Sequence, residues 1–66
     1  MNYPGQPPAF LYQITARHFV AGFERRADVV AKAAPIIRYM EGWGMPQVEN
    51  YCRSKHWTLE RLPQRA

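Results

Sequence analysis

Residues 10–23, FLYQITARHFVAGF, are rich in aromatic and β-branched side chains and contain no proline, which predicts a β-strand. Alternation splits the stretch into two faces, with Tyr12, Ile14, Ala16 and Val20 on one and Leu11, Thr15, Phe19 and Phe23 on the other. The first set is the apolar side early in the stretch, and Phe19 and Phe23 argue for the second set later. A bulge near Arg17-His18 would switch the faces. The charged residues 24–28, ERRAD, then read as a hairpin connection, and residues 29–34, VVAKAA, as a second strand narrow enough for a helix to lie close.

Residues 33–57 hold most of the expected core and read as two short helices joined at the corner Gly42-Trp43-Gly44. Pro35 and Pro46 suit first helical turns, where a missing N–H costs nothing, and Gly42 suits a C-terminal stop. In the first helix Ile36, Ile37 and Met40 fall on one side, opposite Arg38 and Glu41; the rival reading continues the strand through Ile36-Ile37. In the second, Val48, Tyr51, Cys52 and Lys55 follow the i, i+3, i+4, i+7 spacing, leaving Gln47, Glu49, Asn50 and Arg53 outward. Residues 57–62 alternate as a short third strand ended by Pro63. The predicted fold is α+β, a β-hairpin packed on two short helices with a third C-terminal strand. One domain is expected over residues 10–62, between a flexible arm at 1–9 and a flexible tail at 63–66.

With 66 residues the chain has room for one core, and a domain of this size buries only about 60% of the surface its unfolded form exposes. That leaves little material for an enclosed catalytic cleft. Cys52 is the sole cysteine, which excludes an intrachain disulfide and fits a reducing compartment. No apolar run is long enough to cross a bilayer and no signal-peptide pattern opens the chain, so the expected setting is a cytoplasm, with no membrane association. The formal charge of +4, carried largely by seven arginines, favours anionic partners and supplies planar forks suited to carboxylate or phosphate.

Candidate chemistry is sparse. His18 and His56 are the side chains that titrate near neutrality, and zinc would need Cys52 and Glu49 as further ligands, without any recognised ligand spacing. Ser54, the only serine, lies between two cations, and neither a glycine-rich phosphate loop nor a paired-carboxylate motif is present. The expectation is a non-enzymatic protein with no catalytic residue, metal or cofactor. Arg25, Arg26, Arg38, Arg53 and Arg61 are the candidate partner-binding residues, the first two at the hairpin tip. The alternative is nucleic-acid binding by a helix-turn-helix-like unit, with Gln47, Asn50, Arg53 and Lys55 as base or phosphate contacts. Against it stand Arg38 and Glu41 where small and apolar residues should pack, and Pro46 and Glu49 near the groove-facing start.

The segments ITARHFVAGFE, AAPIIRYMEGW and VENYCRSKHW, which cover about two thirds of the chain, resemble those of small basic proteins encoded in phages and prophages. There a TAxHFVAG-like strand, an API-like segment and a YCxxKGW-like helix ending recur; His56 stands here where glycine would be expected as the left-handed helix cap. Some proteins of this kind resemble phage inhibitors of bacterial RNA polymerase. The resemblance implies a regulator that binds a host protein complex in the bacterial cytoplasm, RNA polymerase foremost, as a monomer that inhibits or redirects transcription. A virion assembly role, using an exposed sheet edge, is the third reading.

Overall fold

Between β1 (Ala9–Thr15) and β2 (Val20–Arg26) the chain reverses direction, in the computed structural model, which describes residues 8–63. The expected single strand over residues 10–23 is therefore a hairpin. Its four-residue loop is closed by the Ala16 N–H, which donates to the Phe19 carbonyl at 2.8 Å. The pairing runs from Ala9 opposite Arg26 to Thr15 opposite Val20, so even-numbered side chains of β1 share a face with odd-numbered ones of β2. Ile14 thus joins Ala21, and Tyr12 joins Phe23. The switch of apolar face that suggested a bulge at Arg17-His18 is the parity change of a turn.

The charged run is strand as well. Glu24, Arg25 and Arg26 complete β2, and the reversal into β3 (Val29–Ala33) is the two-residue Ala27-Asp28 turn, with Ala27 left-handed at φ 53°. A register shift follows, Glu24 facing Lys32 while Arg25 faces Val30, and it bends the start of β3. The last strand, β4 (Thr58–Arg61), pairs antiparallel with β1, which makes the order of the sheet β3-β2-β1-β4. The expected third C-terminal strand is thus a fourth.

One face of this sheet is covered. Pro35–Met40 forms a 3₁₀ segment interrupted at Ile37, and α1 (Met45–Lys55) follows it. In 3₁₀ geometry side chains three apart lie one above the other, so Ile37 and Met40 share the buried side. Ile36 falls instead with Tyr39, and it is 56% exposed where the amphipathic reading had placed it inward. Val48 and Cys52 point into the core as the helical spacing requires, together with Met45, and meet Ile14, Ala21, Phe23 and Val30 of the sheet. No described polar side chain is fully buried.

The corner Gly42-Trp43-Gly44 pairs with β3 rather than only linking two helices. Val30 donates its N–H to the Trp43 carbonyl at 2.9 Å, and Gly42 donates to the Val30 carbonyl at 2.8 Å. Gly42 holds φ 90°, a conformation that needs a glycine. The Met45 N–H, otherwise an unsatisfied donor at the helix start, reaches the Asp28 carbonyl at 2.9 Å. Farther along, Glu41 accepts the Ala33 N–H at its Oε2 at 3.0 Å. The outer edge of β3 is thereby closed.

His56 does cap α1. It is left-handed at φ 62°, its N–H donates to the Arg53 carbonyl at 3.2 Å, and the Trp57 N–H returns to Cys52 at 2.8 Å. This is a Schellman ending completed by the Trp57 ring against Tyr51, built with histidine where glycine was expected.

Of the expected flexible termini, residues 1–7 and 64–66 lie outside the described residues, while Ala9 already belongs to β1. Among the described residues no helix is long and apolar enough to cross a membrane.

Candidate binding surface

The strand register brings two arginines onto one aromatic ring. Phe10 lies opposite Arg25 of β2, and one pair further along Tyr12 lies opposite Arg61 of β4. All four side chains occupy the helix-bearing face, at the end of the sheet nearest the β2–β3 turn. The Arg25 guanidinium stands 4.9 Å from the Phe10 ring centroid and the Arg61 guanidinium 5.1 Å from it. Arg25 also lies 5.6 Å from the Tyr12 ring and donates from Nη1 to the Tyr12 hydroxyl at 3.1 Å. Tyr12 in turn stacks on Phe23, centroids 5.2 Å apart and planes 8° from parallel. The cations rest on a rigid aromatic base whose π faces attract them. The Arg25 Nε is buried without an acceptor, so this guanidinium meets a partner through its Nη groups alone.

Beside this cluster an open groove of about 470 Å³ runs between α1 and the β1–β4 part of the sheet. Tyr12, Leu59 and Trp57 form its apolar wall, Cys52 its floor, and Glu49 and Arg53 its helix-side rim. Tyr12 belongs to both features, which joins Arg25, Arg61 and Arg53 around one surface. Burial pushes the Cys52 thiol above its ordinary pKa of 9.0 and so keeps it protonated and unreactive.

The other two candidate arginines stand elsewhere. Arg26 points to the opposite face of the sheet, where its Nε pairs with Glu24 Oε2 at 2.6 Å. Arg38 is exposed on the 3₁₀ segment, which packs on β3, at the far edge of the sheet from Arg61. Of the nucleic-acid candidates, Gln47, Asn50, Arg53 and Lys55 are all exposed on α1. Asn50 and Arg53 hydrogen-bond to each other at 3.4 Å. Lys55 turns to the other flank of the helix, 5.5 Å from the Tyr51 ring. The element before α1 is a 3₁₀ segment, so the pair of α-helices a helix-turn-helix requires is not formed.

A second aromatic feature lies on that other flank. Phe19, Trp57, Tyr51, Trp43 and Tyr39 meet edge to face in sequence, with centroids 5.1 to 5.7 Å apart. Tyr39 donates its hydroxyl hydrogen to the Tyr51 hydroxyl at 3.5 Å. Desolvation, aided by that bond, pushes the Tyr39 pKa up to about 12. These rings are mostly half-buried and join the 3₁₀ segment to α1 and β4, the packing role that so small a domain demands of its tryptophans.

His18 and His56 are both exposed, one in the β1–β2 turn and one at the helix cap. Among the described residues no three potential metal ligands come together. Phe10 and Tyr12, which the sequence offers as aromatics of an N-terminal arm able to order against a partner, are already ordered in β1; the pairing register across β2, β1 and β4 is what sets them beneath Arg25 and Arg61. No known protein family, curated protein or solved structure matches the chain.

Proposed function

We propose that the protein is a non-enzymatic binding module that captures an acidic surface of a protein complex through the Arg25–Phe10–Arg61 cluster and the adjoining groove. The resemblance to small phage and prophage proteins supports reading it as a phage-type regulator that acts in a bacterial cytoplasm. Bacterial RNA polymerase, inhibited or redirected in transcription, is the foremost candidate partner. The observation that carries this reading is the placement of two guanidinium groups about 5 Å from one ring.

An arginine free in solvent loses side-chain freedom when it binds. Arg25, half-buried and bonded to the Tyr12 hydroxyl, has given up much of its freedom in the fold, so less is lost on association. Arg61, exposed at the edge strand, presents a planar fork of donors for a carboxylate, and Arg25 adds the donors of its Nη groups that Tyr12 does not use. The groove beside them offers Trp57, Leu59 and Tyr12 to an apolar anchor, the combination that concentrates binding energy at interfaces.

Glu49 favours a protein over a nucleic acid here. It shares the groove rim with Arg53, so a phosphate chain along the groove meets a carboxylate, whereas a protein surface of mixed charge can answer both. Nucleic-acid binding through α1 keeps one favourable observation, the neighbouring exposed side chains of Asn50 and Arg53.

The test is affinity purification of the tagged protein from nuclease-treated bacterial lysate, wild type beside Arg25→Ala and Arg61→Ala. A stoichiometric protein partner, RNA polymerase subunits foremost, that both substitutions release supports the reading. Recovery of nucleic acid before nuclease and of nothing after it overturns the reading.

A further inference from the structure

We propose that the outer edge of β4 takes up an extended acidic segment of the partner as an added strand. The inference rests on the protein-binding reading above and specifies how the partner is held.

The two edges of the sheet are not alike. That of β3 is closed by the Gly42-Trp43 backbone and by the Glu41 carboxylate on the Ala33 N–H. Among the described residues nothing pairs with β4 on the side away from β1. The phase of the ladder tells which groups face outward there. Leu62 donates its N–H to the Leu11 carbonyl at 2.8 Å, so by alternation Glu60 and Thr58 turn their main chain to β1. The N–H and C=O groups of Leu59 and Arg61 point away from the sheet, a template for one more strand.

The neighbouring charges select the occupant. Leu59 and Arg61 project their side chains on the helix-bearing face, Leu59 into the groove wall and Arg61 onto Phe10. An added strand sets every second side chain on that face, within reach of Arg61 and of Arg53 on the groove rim. Its other side chains fall on the opposite face beside Glu60. Acidic residues at alternate positions answer Arg61 and Arg53 on the first face, where the single carboxylate of Glu49 on the rim is outnumbered two to one, and they spare the second face a like-charge contact with Glu60. A second copy of this chain, with its formal charge of +4, is a poorer match. Nucleic acid carries no amide ladder to complete the pairing.

The test uses the full chain, isotope-labelled, with an acetylated peptide of about eight residues that alternates glutamate with valine, long enough for one strand. Its controls are a peptide of the same composition with the glutamates in one block and an alternating lysine–valine peptide. The expected result is slowed amide exchange at Leu59 and Arg61 with the alternating acidic peptide, bound about tenfold more tightly than either control. Arg61→Ala removes the side chain alone, and Arg61→Pro removes the outward N–H as well. Proline is expected to weaken binding about tenfold beyond alanine at equal urea midpoints. Unchanged exchange at Leu59 and Arg61, equal affinity for the two acidic peptides, or self-association through β4 each overturns strand addition. A lysate partner that Arg25→Ala releases, found together with unchanged exchange at β4, sinks the added strand and leaves the binding reading standing. Absence of any stoichiometric protein partner sinks the binding reading itself.

Discussion

His56 takes a left-handed backbone, φ 62°, so that Trp57 can turn back and donate its N–H to the Cys52 carbonyl at 2.8 Å. A side chain with a Cβ is strained there by about 1–2 kcal/mol, and glycine is not. His56→Gly is therefore expected to stabilise the protein by about 1 kcal/mol, the strain relief less the greater entropy of glycine in the unfolded chain. For a domain of this size that is a rise in Tm of about 4–8 °C. Thermal and urea unfolding of the two proteins measure it, and a glycine variant less stable than wild type would mean that the histidine side chain makes a contact worth more than the strain.

The stacking of Arg25 and Arg61 on Phe10 predicts that the ring acts on binding more than on stability. Phe10 is only partly buried, so Phe10→Leu keeps most of its apolar contact and should cost less than about 1.5 kcal/mol in unfolding. It frees Arg61 from its ring and leaves Arg25 held by Tyr12 alone, and partner affinity should fall about tenfold, with a similar loss for Arg25→Ala. Arg26→Ala and Arg38→Ala serve as controls, since both lie off this surface, and their affinities should stay within about twofold of wild type. Equal losses at Arg25, Arg26 and Arg38 would indicate a diffuse charge effect instead of a built cluster.

Glu41 accepts the Ala33 N–H at 3.0 Å on the outer side of β3. Glu41→Ala leaves that donor to solvent and should cost about 1 kcal/mol, with faster hydrogen exchange at the Ala33 amide. Glu41→Gln keeps a carbonyl oxygen in reach and should recover most of both. If the glutamine variant behaves like alanine, the negative charge is what holds the edge.

How far such relationships can be read from the chain depends on how local they are. The inward set Val48 and Cys52 follows from helical spacing alone, and the strand before Pro63 follows from alternation over a few residues. The β1–β2 reversal does not, because Arg17-His18 carries none of the glycine, proline, asparagine or aspartate signals that mark tight turns. A parity switch was visible at Phe19 and Phe23, yet a bulge and a turn produce the same switch, and only pairing of Tyr12 with Phe23 separates them. α-Helical spacing sets Ile36 beside Ile37 and Met40, whereas the 3₁₀ geometry of the segment turns it outward with Tyr39. The convergence of Arg25, Phe10 and Arg61 needs the register of three strands, two of them far apart in sequence, so residue type could nominate the arginines but not choose among them.

Tyr39 makes stability depend on alkaline pH. Its hydroxyl titrates at 10.0 when solvated and at about 12 in the fold, where desolvation opposes the phenolate and Tyr51 accepts its proton in a hydrogen bond. Between these values the folded protein holds a proton that the unfolded chain has released, so stability falls as pH rises. The contribution is complete below pH 10 and is lost as pH passes through about 12. Cys52, raised from 9.0 by burial, acts with the same sign and begins to do so at lower pH. Urea midpoints measured from neutral to strongly alkaline pH should therefore decline first through Cys52 and then through Tyr39. Cys52→Ala should flatten the early part of that decline and Tyr39→Phe the late part. A Tyr39→Phe variant whose late decline matches wild type would place the proton on some other group of the aromatic row.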